Sequence, residues 1–553
     1  MTVLSAPSAR NEYQRSVLQD RFALAGVIVL ALWVRLHSIS LPGIWYDEAY
    51  SLLLARQTPA RIWALTAVDV HPPLYYIFLH YWVMFWGEGP LPARSLSVLA
   101  DIGTLLLCIR LMSLITTRRA TWIAALLLAL LPISVRYSQE VRMYTLLGFW
   151  LMGASVMLVC WAQAPQRKRF AVAYVLLMSA AFYTHYFAGL CVLVHWLFWW
   201  KSSGECRASI SRYLWFSANA CIVMLYVPWI PHLIAQFSGT KSWIEPVTAQ
   251  VALGLVWQFM VMDEAVPASS VWRLLPLMFL VACAISIITS GKKDERFAWL
   301  VIGYFFVPVI SLFFLALFTP IFLPRYLVFA SPGIAMIIAA ALDTARERFD
   351  SALRLAVLGL VLCAQSYGLF VVYQQTDGLN GTEMRKSHGY RELVTALARE
   401  VQPGDEIILD SLISYLPFTY YNTTTIQPRF YIRSSLQDFI ESSTHGGYAL
   451  IPDSLKWIYF DDLAVLQCGR RVWWIPFDSI DNVSQLRSKG WTQTRALKNG
   501  AATAYLLTAE SKSASGEADN LAGFRLPPAH GARNCQPAPS ATFANRTRHS
   551  LRQ

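Results

Sequence analysis

PPLYYIFLHYWVMFW, residues 72–86, is apolar enough to cross a bilayer, and whether it does so decides how the whole chain is threaded. The composition around it makes this a membrane question. Of 553 residues, 56% are hydrophobic and only 14% are charged, Trp occurs 21 times, and the mean hydropathy is +0.41. A water-soluble surface cannot be assembled from such a chain, and a polytopic α-helical membrane protein is expected. Apolar stretches of spanning length lie near 22–39, 95–115, 120–137, 143–162, 170–187, 188–200, 214–231, 270–290, 297–318, 326–344 and 354–373. Cationic connectors follow every second one: TTRRA (116–120), PQRKR (165–169), residues 201–212, GKKDER (291–296) and ARERFDSALR (345–354). With about 11 spans and 72–86 left out, all these connectors fall on the cytoplasmic side together with an N-terminal segment 1–21, as the positive-inside rule requires. Counting 72–86 as a further span would turn every later basic loop outward. The stretch is therefore read as a juxtamembrane or re-entrant helix, opened by Pro72 and Pro73, in a first external loop of residues 40–94. The first apolar run follows Arg10, Arg15 and Arg21 and is read as a retained span, not a signal peptide.

This threading organises the rest. Residues 22–373 form the membrane domain, residues 232–269 a second external loop, and an odd number of spans places everything after 373 outside. There the character changes. YRELVTALAREV (390–401) has helical periodicity, while EIILD (406–410), RRVWWIPF (470–477) and residues 502–507 read as strands, so residues 374–508 are expected to form a small extracytoplasmic α/β domain. Residues 509–553 lack periodicity and read as a disordered tail. The formal charge of +12 encodes orientation and does not call for nucleic acid as a partner. The nine cysteines show no CxxC spacing; Cys468 and Cys535 are the one candidate disulfide.

The polar exceptions sort to the external side. WYDEAYSL (45–52) carries Asp47 and Glu48; DVHPPLYY (69–76) carries Asp69 and His71; RYSQEVRMY (136–144) carries Arg136, Glu140, Arg142 and Tyr144; THYF (184–187) carries His185; and LPRY (323–326) carries Arg325 and Tyr326. Lys241 lies in the second external loop. Ionisable groups at membrane depth cost roughly 2.5–3.5 kcal/mol or more each, so such a collection is a candidate site. Adjacent carboxylates on a helix point about 100° apart, so one of Asp47 and Glu48 can face a ligand while the other holds a partner. A carboxylate at the edge of low dielectric suits a general base, although two acids beginning an interfacial helix need no further reason. Arg136, Glu140 and Tyr144 are spaced to share one helical face, leaving Arg142 to meet an anion; a salt bridge closing a helical hairpin is the plainer account. Arg325 is either a snorkelling interfacial cation or a phosphate ligand. His71 with the two carboxylates is loosely metal-like, and a divalent cation is a possible cofactor.

Taken in order, WYDEAYSL, HPPLYY, RYSQEVRMYTL, YTHYF and LPRYL resemble the bacterial members of glycosyltransferase family 39, related to protein O-mannosyltransferases and more distantly to lipid A aminoarabinose transferases. The resemblance covers about residues 22 to 345. It implies a GT-C membrane fold, a sugar donor carried on a polyprenyl phosphate, and catalysis on the extracytoplasmic face of the inner membrane. It further implies Asp47 as the general base, Glu48 in support, His71 beside the cavity and Arg325 on the lipid phosphate. The chain departs from the protein mannosyltransferases in having Leu74 and Tyr75 where they continue with Gly-Lys, and in lacking their β-trefoil insertion, so the acceptor stays open among glycan, lipid and protein. A secondary transporter and an envelope-polysaccharide assembly component are the rival readings. Transport predicts solute accumulation that depends on Asp47; assembly predicts a phenotype that depends on 390–508 and not on Asp47.

Overall fold

The computed structural model describes residues 6–203, 210–239, 244–291, 295–387, 389–432, 448–450, 458–459, 471–477, 484, 486–487 and 490–509. Lys241, Cys468, Cys535 and the expected tail beyond 509 lie outside these residues. The chain is a multi-pass membrane protein. Among the described residues, seven helices are long and apolar enough to cross a bilayer, and nine if two bent pairs each count as one span. The remaining two expected spans are the helices Lys168–Thr184 and Ala188–Ser203, of 17 and 16 residues, or about 25 Å at 1.5 Å per residue. A count of 11 therefore rests on these two short helices.

The deciding stretch is a helix, Leu74–Trp86, of 13 residues. At roughly 20 Å it falls short of a hydrocarbon core of about 30 Å. Pro72 and Pro73 precede it, and Gly87, at φ +93°, ends it in a conformation that only glycine adopts without strain. It packs beside the Tyr46–Ala55 helix and the long Pro90–Ile115 helix.

Both bent pairs have proline at the start of their second segment. Arg118–Ala129 meets Pro132–Ser138 at 53°, and the 3₁₀ segment Pro324–Ala330 meets Pro332–Thr344 at 47°. Proline lacks the N–H that would continue the preceding ladder but suits a first helical turn, so the chain breaks and restarts there. The breaks carry Arg136 and Arg325 off the spanning axis. Elsewhere small residues let helices close up: a Cβ on Gly333 would lie 2.8 Å from the Phe305 Cβ of the Glu295–Ala316 helix.

After the last span, Ser351–Gln374, the short helix Thr382–Ser387 leads into a six-stranded sheet. Its strands are β1 (Glu406–Leu409), β2 (Arg429–Tyr431), β3 (Ile458–Tyr459), β4 (Arg471–Ile475), β5 (Thr492–Asn499) and β6 (Ala502–Thr508), in the order β3-β2-β1-β4-β6-β5. The first four are parallel, with Ile407 opposite Trp473, and β4-β6-β5 are antiparallel. Alternation along the strands sends Ile407, Leu409, Trp473 and Ile475 to the face covered by the Tyr390–Leu397 helix, and Ile408, Val472 and Trp474 to the other. Strands β1, β4 and β6 match the expected stretches. β5, with TQTRALKN, is a polar edge strand whose composition carries no apolar run.

Candidate active site

Asp47 and Glu48 sit in the first turn of the Tyr46–Ala55 helix, which begins from an extended Trp45. Their roughly 100° divergence sends them to different partners. Glu48 is fully buried against Arg94: Arg94 Nε and Nη2 donate to the two carboxylate oxygens at 2.8 and 2.7 Å, and the Val141 N–H donates to Oε1 at 2.9 Å. Arg94 also donates to the carbonyls of Ile39, Pro42 and Gly43. Glu48, expected as a second catalytic carboxylate, thus has both oxygens consumed inside the protein. Its contacts fix the start of the helix.

Asp47 turns the other way, and its side chain keeps 15% of its surface open. Arg325 Nη1 donates to its Oδ2 at 2.8 Å across 278 residues of sequence. Arg142 Nε lies 3.8 Å from the same oxygen. Arg142 Nη1 also reaches the Asp47 carbonyl at 3.4 Å and Ser51 Oγ at 3.3 Å, and Nη2 lies 3.0 Å from His71 Nε2. Burial, followed by the Arg142, His185 and Arg325 charges, holds His71 well below the usual imidazole pKa. It is therefore neutral near pH 7 and accepts from Arg142 on Nε2.

Aromatic rings surround this ion cluster. His185 lies 5.6 Å from the His71 ring, 5.9 Å from Tyr144 and 5.4 Å from Tyr326, centroid to centroid. His185 Nε2 and the hydroxyls of Tyr76 and Tyr144 are buried with no hydrogen-bond partner among the described residues. Buried polar atoms left unmatched in one place point to a polar ligand or water that completes them. Asp69 lies nearby, buried, with Oδ1 accepting from the Val70 N–H at 2.8 Å and a hydrogen bond to the Tyr50 hydroxyl.

RYSQEVRMY does not form the single helix that its spacing suggested. The Pro132–Ser138 helix ends, residues 139–143 turn, and a new helix begins at Tyr144. Arg136 and Glu140 do pair, at 2.8 Å, but almost fully buried, while Tyr144 joins the aromatic wall. Arg136 Nε instead meets Asp377 at 3.3 Å and Nη2 meets Thr382 at 3.3 Å, while Arg385 Nη2 donates to the Gln139 carbonyl at 3.1 Å. The segment after the last span is thereby strapped to the back of the site, although 373/374 was the expected domain boundary. Arg94, Asp377 and Arg385 were not anticipated. Arg94 had a legible signal, since a cation at the start of an apolar run needs a partner.

Among the described residues no group of three or more His, Cys, Asp or Glu could hold a metal ion. The nearest candidate donors do not fit one: His71 Nε2 faces a guanidinium and Asp47 Oδ2 faces two.

No protein-family model matches the chain, and no curated protein matches it significantly by sequence. Solved structures do match. ArnT from Cupriavidus metallidurans bound to undecaprenyl phosphate is 13% identical at TM-score 0.61, covering 89% of this chain and 99% of that one. Its apo state gives 14% and 0.59 over 87% and 97%. The arabinofuranosyltransferase AftD from Mycobacteria gives 15% and 0.50, over 89% of this chain and 42% of that one. At these identities the likeness speaks for architecture, and the chain has the GT-C membrane fold.

Proposed function

We propose that this protein is a membrane glycosyltransferase that moves a sugar from a polyprenyl-phosphate donor to an acceptor on the extracytoplasmic side. The observation that carries the reading is the meeting of Asp47 and Arg325, at 2.8 Å, in a partly open and otherwise buried ion cluster. Asp47 is the general base and Arg325 the ligand of the donor phosphate. In the reaction the acceptor O–H gives its proton to Asp47 as its oxygen bonds to the anomeric carbon; the bond from that carbon to the phosphate oxygen breaks, and the electron pair leaves with the phosphate. A single displacement inverts the anomeric centre. The leaving group is stabilised as an anion by a guanidinium, so no separate acid is required. His71 holds Arg142 in place, and Tyr76, Tyr144 and His185 present unspent hydrogen-bonding atoms to the sugar. Support for a lipid-phosphate donor comes from the ArnT neighbour, whose structure holds undecaprenyl phosphate. The acceptor is a glycan, a lipid or a protein.

The test is mass analysis of cell-envelope glycans from a deletion strain complemented with wild type or Asp47→Asn. A sugar lost on deletion should return with wild type and stay absent with Asp47→Asn produced at equal level in the membrane. Full restoration by Asp47→Asn would end the base assignment.

A further inference from the structure

We propose that in the free protein the Asp47 carboxylate occupies the anion position of a lipid-phosphate donor, so that Arg142 and Arg325 form one two-guanidinium clamp that the donor must take over before Asp47 accepts a proton. This rests on the transferase reading of the same site and adds two things to it: a second phosphate ligand, Arg142, and a compulsory donor-first order.

The geometry of Arg142 leads to this. Its Nη1 is directed at Ser51 and the Asp47 carbonyl, and its Nη2 at a neutral His71, so two corners of the guanidinium are fixed without any charge being matched. Its Nε is buried and makes no hydrogen bond among the described residues. The Asp47 oxygen that should satisfy it stands at 3.8 Å, too far for a hydrogen bond, because that oxygen has gone to Arg325 at 2.8 Å. One carboxylate oxygen is thus stretched between two guanidiniums. A phosphate has more oxygens, a tetrahedral spread and a geometry that guanidinium groups recognise through paired N–H bonds, so it can serve both at once.

Charge dictates the order. The Arg142 and Arg325 side chains are 4% and 9% exposed. If Asp47 took a proton before a donor arrived, a neutral carboxyl would remain between two buried cations, and stripping a buried charge of its partner is among the costliest local changes a protein can suffer. Once the donor phosphate supplies the anion, the carboxylate is released from that duty. The acceptor can then be deprotonated only when the sugar to be transferred is already in place, which guards against futile chemistry.

The experiment measures binding of undecaprenyl phosphate, the bare lipid phosphate, to the full-length protein in nanodiscs. Removing the competing carboxylate by Asp47→Asn should tighten binding about tenfold, whereas Arg142→Gln and Arg325→Gln should each weaken it about tenfold or more. Asp47→Ala must move in the same direction as Asp47→Asn. Arg56→Gln, which breaks an exposed pair with Glu88 far from the clamp, should change nothing. Equal or weaker binding in both Asp47 variants, measured on protein that remains folded at the assay temperature, overturns the proposal, as does unaltered binding in Arg142→Gln. Because no acceptor or transfer is involved, tight binding without transfer from any polyprenyl-phosphate sugar would instead sink the transferase reading and leave the clamp standing.

Discussion

Asp47 and Glu48 are adjacent in sequence yet differ in what they can do, and the difference lies in their partners. Glu48 shares a bidentate contact with Arg94 at zero exposure, so removing either partner leaves a buried charge. Glu48→Gln or Arg94→Met should each destabilise the folded protein by about 3–5 kcal/mol, read as a large fall in melting temperature in detergent or nanodiscs. Arg94→Lys should not rescue, because an ammonium cannot serve two carboxylate oxygens and three carbonyls together. His71 predicts a pH effect. Its folded pKa is depressed below an unfolded value of about 6.5, so below that pH the unfolded chain binds more protons and stability is lost as pH falls. Melting temperatures measured from pH 7 to pH 5 should drop more steeply in wild type than in His71→Gln; parallel curves would refute the assignment. Much of the site was legible because intramembrane charge is expensive and so stands out, as at Asp47 and Arg325. Which of two adjacent acids faces outward was not legible: that depends on Arg94, 46 residues away, whose role only packing reveals.

Among elements, the Tyr46–Ala55 helix is held from three directions. Arg94 grips Glu48, Tyr421 accepts the Ile44 N–H at 2.8 Å, and the Gly43 N–H donates to the Arg385 carbonyl at 3.1 Å. The strap of residues 376–387 makes a tight passage at Gly381, where φ is +89° and a Cβ would lie 2.7 Å from the Trp45 ring. Trp45 is the residue from which the Tyr46–Ala55 helix starts. Gly381→Ala should therefore cost about 1–3 kcal/mol through overpacking and backbone strain and shift Asp47. It is checked by a lowered melting temperature together with reduced undecaprenyl phosphate binding, and a variant that behaves as wild type in both would show that the strap does not set the helix. Long apolar helices were easy to read because length and hydropathy alone define them. The break at 139–143 was not, since four-residue spacing persists in the letters even where the backbone has turned. The strap escaped for a related reason: its polar composition resembles any exposed linker, and its burial comes from Arg136 and Gln139.

At the scale of the molecule, the contacts between the site and the C-terminal domain constrain the threading by parity. Ile44 and Tyr421 touch, so both lie on one side of the membrane, and the chain between them must cross an even number of times. The helix that ends at Leu36 adds one crossing, so the total is odd. Nine and 11 both satisfy this; ten does not. With each bent pair counted as one crossing, the two short helices Lys168–Thr184 and Ala188–Ser203 cross together or not at all, and either way residue 166 ends on the face opposite residue 423. Single cysteines at the exposed positions Gln166 and Thr423, placed in a cysteine-free background, should react with an impermeant maleimide from opposite sides of the membrane in intact cells, with Thr423→Cys labelled from outside. Labelling of Gln166→Cys from outside would reverse the sidedness and move the ion cluster to the cytoplasmic face. Labelling of both positions from one side would mean that the bent pair Arg118–Ser138 turns back without crossing, because the contact between Ile44 and Tyr421 keeps the number of crossings between them even.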